Sequence, residues 1–238
     1  MAVMSYFANP HRFMAASKWP AWGFTALGLV LVAVGVYFGL FVVPEDHQQG
    51  DGARIMFVHV PAMWLSLFAY AFMTGASLVS FIWRHAIADV AAKSAAPTGA
   101  ALTALGLLTG SIWGYPTWGT WWEWGDARLV SVLILFFLYL GYIGLASAER
   151  ERGGEGRMAA LFGLIGAVNL PVIHFSVEWF STLHQVQMKA ANEFKYPMYV
   201  VALGYLALFG GLTLLNMRAE IMNTRAEMLA LRRQATAG

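Results

Sequence analysis

The sequence contains no cysteine among its 238 residues. This absence excludes disulfide bridges, thiolate-bound metal ions and iron–sulfur clusters, all of which need cysteine sulfur. It also excludes the C-x-x-C-H motif through which c-type haem is attached covalently. Any iron-containing group held by this chain would therefore need ligands other than thiolates, and histidine is the first candidate.

Charged residues are scarce as well: Asp, Glu, Lys and Arg make up 12% of the chain, against 59% for hydrophobic residues. Soluble domains carry about 25% charged residues, so this composition is not that of a protein with a water-exposed surface. The formal net charge is only +2, and we find neither a basic patch with interleaved aromatics nor a Walker A motif. The composition argues against nucleic-acid and nucleotide binding and favours a membrane protein.

Six apolar stretches are long enough to cross the hydrocarbon core of a bilayer, which needs about 20 helical residues. None of the six contains Asp, Glu, Lys or Arg. Only helices satisfy their backbone groups within one segment in lipid, so we predict an all-α integral membrane protein with six transmembrane helices in a single domain over 1–238. The stretches are Ala21–Val43, Val58–Trp83, Ala95–Tyr115, Leu129–Ala148, Met158–Val177 and Pro197–Met217.

The basic residues divide unevenly between the two sides of these predicted helices. With the N-terminus in the cytoplasm, eleven Lys and Arg residues fall on the inner side and four on the outer side, which accounts for all 15. The positive-inside rule therefore places both termini in the cytoplasm. The outer side then carries the segment 113–128, and the inner side carries a charged helical tail over 218–238. The four outer basic residues are Arg54, Arg128, Lys189 and Lys195.

Five of the ten tryptophans fall between residues 113 and 124, interrupted by Gly114 and Gly119 and followed by Gly125. Tryptophan and tyrosine commonly anchor helix ends at the membrane surface, so an aromatic belt is one interpretation. Five indoles interleaved with glycines, which let flat groups approach the backbone, favour a platform for a large planar ligand. The tryptophans are Trp113, Trp118, Trp121, Trp122 and Trp124.

Three histidines fall on the outer side near membrane depth. His59 precedes Pro61, which we interpret as the first turn of the second helix because proline is favoured there. His184 lies in the third outer loop, and His174 lies at the outer end of the fifth stretch. Such residues are functional candidates, and two imidazoles from separate segments can supply both axial positions of a haem iron. The alternative for each is a structural hydrogen bond, which we expect for His174.

The charged residues that end the tryptophan-rich segment leave two alternatives open. Arg128 could form a bidentate pair with an anionic group such as a haem propionate. It could equally neutralise Asp126 or Glu123, two and five residues before it. Both alternatives place Arg128 at the outer membrane surface.

The segment Trp118–Leu129, with the letters W-G-T-W-W-E-W-G-D-A-R-L, resembles the WWD signature of a superfamily of haem-handling membrane proteins. The segments Val58–Ala62 and Ser176–Gln185 are similar to the two histidine segments of one branch, cytochrome c maturation protein C (haem exporter protein C) of the System I pathway. Three motifs in the same order extend the resemblance over nearly the whole chain. One departure is Gly125, an additional residue that changes the expected direction of Asp126.

The resemblance implies that the chain holds haem b without a covalent bond, in transit, on the outer face of the membrane. The implied axial ligands are His59 and His184, with His174 as an alternative ligand. Asp126 and Arg128 would contact the haem propionates or orient the loop. The residues implied as the haem platform are Trp118, Trp121, Trp122 and Trp124.

The resemblance also implies a larger assembly, an ABC-type complex in the bacterial inner membrane. Its other members would be an ATP-binding subunit, a second six-helix subunit and a small single-helix subunit. The implied function is non-catalytic: the chain delivers haem to a membrane-anchored periplasmic haem chaperone for cytochrome c biogenesis, and a partner hydrolyses ATP. Two functions remain as alternatives, a b-type electron-transfer subunit with bis-histidine haem and a structural assembly subunit without cofactor.

Overall fold

A computed structural model describes residues 9–154, 156–180, 182–184 and 192–237 of the chain. Both termini, and Ser181 and Gln185 of the second histidine segment, lie outside the described residues. The described part consists of seven α-helices and one short 3₁₀ helix over Asp51–Ile55. The α-helices are α1 (Pro10–Phe41), α2 (Met56–Trp83), α3 (Ala86–Trp118), α4 (Ala127–Glu151), α5 (Arg157–Gly166), α6 (Asn169–Trp179) and α7 (Asn192–Ala237).

Six helical segments are long and apolar enough to cross a membrane, with α5 and α6 together forming one of them. The predicted all-α membrane fold with six spans is therefore confirmed. Several helices extend past the apolar stretches, since α3 begins at Ala86 and α7 continues to Ala237. Following the predicted orientation, we call the end of the bundle that carries residues 42–55 and 119–126 the outer end.

The fifth apolar stretch, predicted as one helix over 158–177, is divided in the structure into α5 and α6. Pro171 lacks an amide hydrogen, and in a regular helix its ring would clash with the carbonyl of Ala167, four residues earlier. The interruption leaves Pro171 in the first turn of α6, where an amide has no intrahelical partner. The side-chain amide of Asn169 donates to the Ser131 carbonyl of α4 over 2.9 Å and fixes the start of α6.

Helices α1 and α7 pack side by side along their length, with glycine at the points of closest approach. A Cβ at Gly204 would lie 2.8 Å from the backbone nitrogen of Val32, and a Cβ at Gly28 would lie 2.7 Å from that of Leu208. Small residues allow such close approach, and the resulting van der Waals contact drives helix association where lipid removes the hydrophobic effect.

The core of the bundle between α2, α3 and α4 contains fully buried tyrosines. The hydroxyl of Tyr139 donates to the Ser66 carbonyl over 2.8 Å, which supplies the partner that a buried polar group needs. A Cβ at Gly99 would overlap this hydroxyl, so glycine makes room for the ring. The buried tyrosines are Tyr70, Tyr139 and Tyr142.

At the inner end, Arg150 of α4 contacts the part of α7 that extends beyond the bundle. Its guanidinium donates to the carboxylate of Glu220 over 2.6 Å and to that of Glu227 over 2.8 Å. Because these acids are seven residues apart, they lie on one face of α7, two turns from each other. Arg150 therefore connects α4 to the helical tail.

At the outer end, Arg54 closes the loop that follows α1. Its Nη1 donates to the carbonyls of Val43 and Gly39 over 2.9 and 3.1 Å, and its Nε pairs with Asp51 over 2.6 Å. These contacts hold the 3₁₀ helix against the end of α1. The 3₁₀ helix leads directly into α2, which begins at Met56.

Candidate functional site at the outer end of the bundle

The tryptophan-rich segment joins α3 to α4 across the outer end. Helix α3 ends at Trp118, and Gly119 adopts a left-handed conformation with φ of +77°, which residues with a Cβ rarely adopt. The amide of Gly119 donates to the Tyr115 carbonyl over 2.9 Å and completes the helix end. The chain then crosses the outer face as far as Asp126, the residue before α4.

Two tryptophans contact the outer histidines. The ring centroids of Trp113 and His59 are 5.7 Å apart, and those of Trp118 and His184 are 5.0 Å apart, both pairs edge-on. The indole Nε1 of Trp113 donates to the Gln49 side chain over 2.7 Å. Trp113, which is outside the predicted platform, therefore lies beside one histidine, and Trp118 lies beside the other.

The remaining tryptophans form a more exposed group. Trp121 stacks on Tyr115 with centroids 4.6 Å apart, and Trp122 contacts Trp124 edge-on at 5.6 Å. Trp121 is 56% exposed and Trp124 73% exposed, whereas the Nε1 of Trp122 is buried without a hydrogen-bond acceptor among the described residues. Two of the four predicted platform residues thus present aromatic surface to the outside.

His59 lies one turn inside α2. The prediction that Pro61 marks the first turn of this helix is wrong, because the 3₁₀ helix before Met56 provides the start and leaves Pro61 in the helix interior. His59 nevertheless remains near the outer end. Its half-buried ring faces α3.

Residues of α3 hold the His59 imidazole in one orientation. Its Nδ1 lies 3.0 Å from the Gly106 carbonyl oxygen and 3.1 Å from the Thr109 hydroxyl. Because Thr109 donates its own proton to the Leu105 carbonyl over 2.6 Å, both contacts are with acceptors, which assigns the ring proton to Nδ1. The lone pair is then on Nε2. A Cβ at Gly110 would lie 2.9 Å from the ring Cε1, so glycine gives the imidazole its space.

Asp126 connects the start of α4 to the loop after α6. Its side chain is buried, and its Oδ1 accepts hydrogen bonds from the amides of Arg128 and Leu129 over 2.9 and 3.0 Å, as an N-cap does. Its Oδ2 accepts from the amide of Leu183 over 2.7 Å and lies 3.6 Å from Nδ1 of His184. The carboxylate therefore points into the protein, toward the second histidine.

His184 is half-buried beside Trp118. Burial lowers the pKa of His184 below its usual value of 6.5, because a buried imidazolium loses hydration, while the Asp126 carboxylate acts in the opposite direction and Arg128 adds to the lowering. The imidazole is therefore neutral at pH 7.

Arg128 lies in the first turn of α4, where its positive charge acts on both His59 and His184. Among the described residues its guanidinium has no carboxylate within 4.0 Å. The direct ion pair with Asp126 or Glu123 that the sequence allowed is thus not formed, because backbone amides occupy the Asp126 oxygens and Glu123 accepts from its own loop. Arg128 is thus a half-buried cation without a carboxylate partner among the described residues.

His174 of α6 is exposed and lies edge-on to Phe175, with centroids 4.7 Å apart. No hydrogen bond from its ring to the bundle is seen among the described residues, so the contact expected from the sequence is not observed there. His59 and His184, rather than His174, are the histidines in contact with the tryptophan-rich segment.

Sequence reasoning missed the α3 residues that hold His59. The signal was present in the letters G-L-L-T-G over 106–110. Residues at i, i+3 and i+4 share one face of a helix, so Gly106, Thr109 and Gly110 offer a carbonyl, a hydroxyl and an open space side by side. Gln49 carried no such signal, because its contact with Trp113 joins the loop after α1 to the end of α3.

Comparison with known proteins identifies close relatives over most of the chain. The sequence profile of the family described as heme exporter protein C matches residues 3–232. The chain is 47% identical over 231 residues to the heme exporter protein C of Bradyrhizobium diazoefficiens, which covers 94% of this chain and 87% of that protein. Identity to the protein of the same name is 42% over 219 residues in Escherichia coli K12, covering 90% and 89%. It is 38% over 244 residues in Paracoccus denitrificans, covering 98% of each.

Proposed function

Because this chain belongs to the haem exporter protein C family, we propose that it holds haem at the outer face of the membrane and delivers it to a membrane-anchored haem chaperone. The haem is cargo, haem b bound without a covalent bond on its way to cytochrome c. The observation that carries the proposal is that two outer imidazoles from separate segments, His59 and His184, each lie edge-on to a tryptophan of the same segment.

We assign His59 and His184 as the axial ligands of the haem iron. His59 donates its Nδ1 proton to the Gly106 carbonyl, so its Nε2 lone pair is available to iron. His184 has its Nδ1 edge near Asp126, which makes Nε2 its available nitrogen as well. His174 is a weaker candidate, because it contacts Phe175 of its own helix.

The surrounding side chains suit a planar, anionic cargo. Trp113 and Trp118 border the two histidines, and stacking on an indole contributes about 1–3 kcal/mol per ring if the range for nucleic-acid bases applies. Arg128 is positioned to pair with a propionate, since a guanidinium binds a carboxylate bidentately. The proposed platform residues are Trp118, Trp121, Trp122 and Trp124.

We further propose that the chain is a non-catalytic subunit of an ABC-type complex in the bacterial inner membrane. Its partners would be an ATP-binding subunit, a second six-helix subunit and a small single-helix subunit. The name of the relatives, heme exporter protein C, supports an assembly of this kind. The chain has no Walker A motif, so ATP hydrolysis is assigned to a partner.

Absorption spectra of the protein purified in detergent from haem-replete cells test this proposal. We expect the wild type to carry six-coordinate haem, and His59→Ala and His184→Ala each to lose that spectrum. Added imidazole should partly restore it, because each variant lacks only a ligand. His174→Ala removes an exposed outer histidine and serves as the matched control, with no expected change.

Three outcomes would contradict the proposal or its ligands. A colourless wild-type preparation would favour the structural assembly subunit. Reversible quinol-linked reduction of the bound haem would favour the b-type electron-transfer subunit. Loss of the spectrum in His174→Ala together with an intact spectrum in His184→Ala would place the second ligand on α6.

A further inference from the structure

The two carboxylate oxygens of Asp126 have different partners. Oδ1 accepts from the amides of Arg128 and Leu129 at the start of α4, and Oδ2 accepts from the amide of Leu183 over 2.7 Å. Asp126 is only 2% exposed, so water does not compete for these bonds. A single buried carboxylate thus joins the end of the tryptophan-rich segment to the loop that carries His184.

The Nδ1 of His184 lacks a hydrogen-bond partner at normal distance. This atom is buried and forms no hydrogen bond with the described residues. The Oδ2 of Asp126 lies 3.6 Å away, a few tenths of an ångström beyond the usual N–H···O range. A buried N–H without an acceptor is costly, and a small rotation of the imidazole toward Asp126 would satisfy it.

His59 provides the contrast. Its Nδ1 proton is donated to a backbone carbonyl, that of Gly106, over 3.0 Å. A carbonyl and a carboxylate differ as partners of a ligating histidine, because the negative charge of a carboxylate raises the basicity of the opposite ring nitrogen more strongly. The two histidines therefore differ in the group nearest their Nδ1, a carbonyl for His59 and a carboxylate for His184.

We infer that Asp126 is a positioning residue which holds His184 through its Nδ1 and makes it the more strongly donating of the two haem ligands. This inference rests on the proposed function and concerns how the same site holds its cargo. It also gives Asp126 a role that the additional Gly125 had left open. Asp126 acts through His184 and does not itself contact the iron.

Asp126→Asn tests the inference by removing the charge at nearly constant volume. Asparagine is a good N-cap, so α4 should keep its start. We expect roughly 10- to 100-fold weaker haem retention, the range for loss of a partner behind a metal ligand, and a more positive reduction potential of the bound haem, because a weaker donor stabilises the ferric state less. Asp126→Glu keeps the charge, so its reduction potential should lie closer to the wild-type value than that of Asp126→Asn.

The matched control is Glu123→Gln, which removes an equal charge from the same segment. Glu123 is exposed, and among the described residues its carboxylate accepts from the amide of Gly125 alone, so its variant should retain haem at the wild-type potential. If Asp126→Asn does not accumulate, Asp126→Ser preserves the cap with a side chain too short to reach His184 and should show the same two effects.

Each outcome bears on one claim. Wild-type retention and potential in Asp126→Asn would overturn the inference and leave the proposed function intact. A shift of equal size in Glu123→Gln would also overturn it, because the effect would then be a general one of charge. A wild-type protein that carries no haem would instead contradict the proposed function.

Discussion

The imidazole of His59 packs against the backbone of Gly110, so closely that a Cβ at position 110 would lie 2.9 Å from the ring Cε1. The two residues are on different helices, α2 and α3. The missing side chain at Gly110 of α3 therefore determines where the imidazole of His59, a proposed ligand on α2, can lie.

Gly110→Ala should displace His59 and weaken haem retention about tenfold or more, because the ring cannot keep its bond to Gly106 and also avoid the new methyl group. The haem content of the purified variant measures this effect. Gly75→Ala is the control on α2, since no atom lies within 4 Å of a Cβ there, and it should leave haem content unchanged. Equal haem content in both variants would mean that His59 is not held by α3 in the way described.

Trp118→Ala should reduce haem retention more than Trp124→Ala. Trp118 contacts His184, whereas Trp124 is 73% exposed, so only the first removes a ring beside a proposed ligand. A loss of about 1–3 kcal/mol corresponds to roughly 5- to 150-fold faster transfer of haem to an acceptor such as apomyoglobin. The opposite order of the two variants would place the haem on the exposed group, with Trp121 and Trp124.

Acid should release haem only below about pH 6.5. Burial lowers the pKa of His184, so the free histidine stays neutral, and able to bind iron, to a lower pH than an exposed histidine with a pKa of about 6.5. The same lowering means that the folded protein binds fewer protons than the unfolded chain, and His184 therefore costs stability as the pH falls through 6.5. A haem absorbance titration from pH 8 to 5 measures the midpoint. A haem-release midpoint above pH 6.5 that stays the same in His174→Ala would contradict the assignment of buried His184 as a ligand.

Gly204→Ala should destabilise the bundle by about 1–3 kcal/mol, the usual cost of overpacking. The added Cβ would lie 2.8 Å from the backbone nitrogen of Val32, and a backbone cannot rotate away as a side chain does. Gly210→Ala on the same helix has open space and should unfold at the wild-type temperature or slightly above. Thermal unfolding in one detergent compares them, and an equal midpoint for both would argue against tight packing of α1 on α7.

The six spans could be predicted from the sequence because one physical rule governs them: ionisable side chains are excluded from hydrocarbon. The division of the fifth span could not be predicted by that rule, since hydropathy is the same on both sides of the interruption. Only Pro171 indicated it. The start of α2 was misplaced for a related reason, because the 3₁₀ helix before it contains Asp51 and Arg54 and gives no continuous apolar signal.

The histidine pair could be predicted as candidates, but not the groups that orient them. Thr109 is 50 residues from His59 in sequence, and Asp126 is 57 residues from Leu183. The spacing of Gly106, Thr109 and Gly110 marks one face of α3, but it does not indicate that His59 of another helix packs on that face. Which way the Asp126 carboxylate points depends on how the chain turns at Gly125, and that turn is seen only in the three-dimensional structure.

Helix α7 has 46 residues, about 69 Å at 1.5 Å per residue, which exceeds the roughly 40–45 Å of a bilayer with its headgroups. Near its outer end Phe194 stacks on Phe57, two residues before His59, with centroids 5.8 Å apart. Near its inner end Glu227 binds Arg150. One continuous helix therefore makes both contacts, the ring stack beside the start of α2 and the ion pair with Arg150 of α4. A displacement of the inner end of α7 would therefore be felt two residues from His59, the proposed ligand, at the opposite end of the bundle.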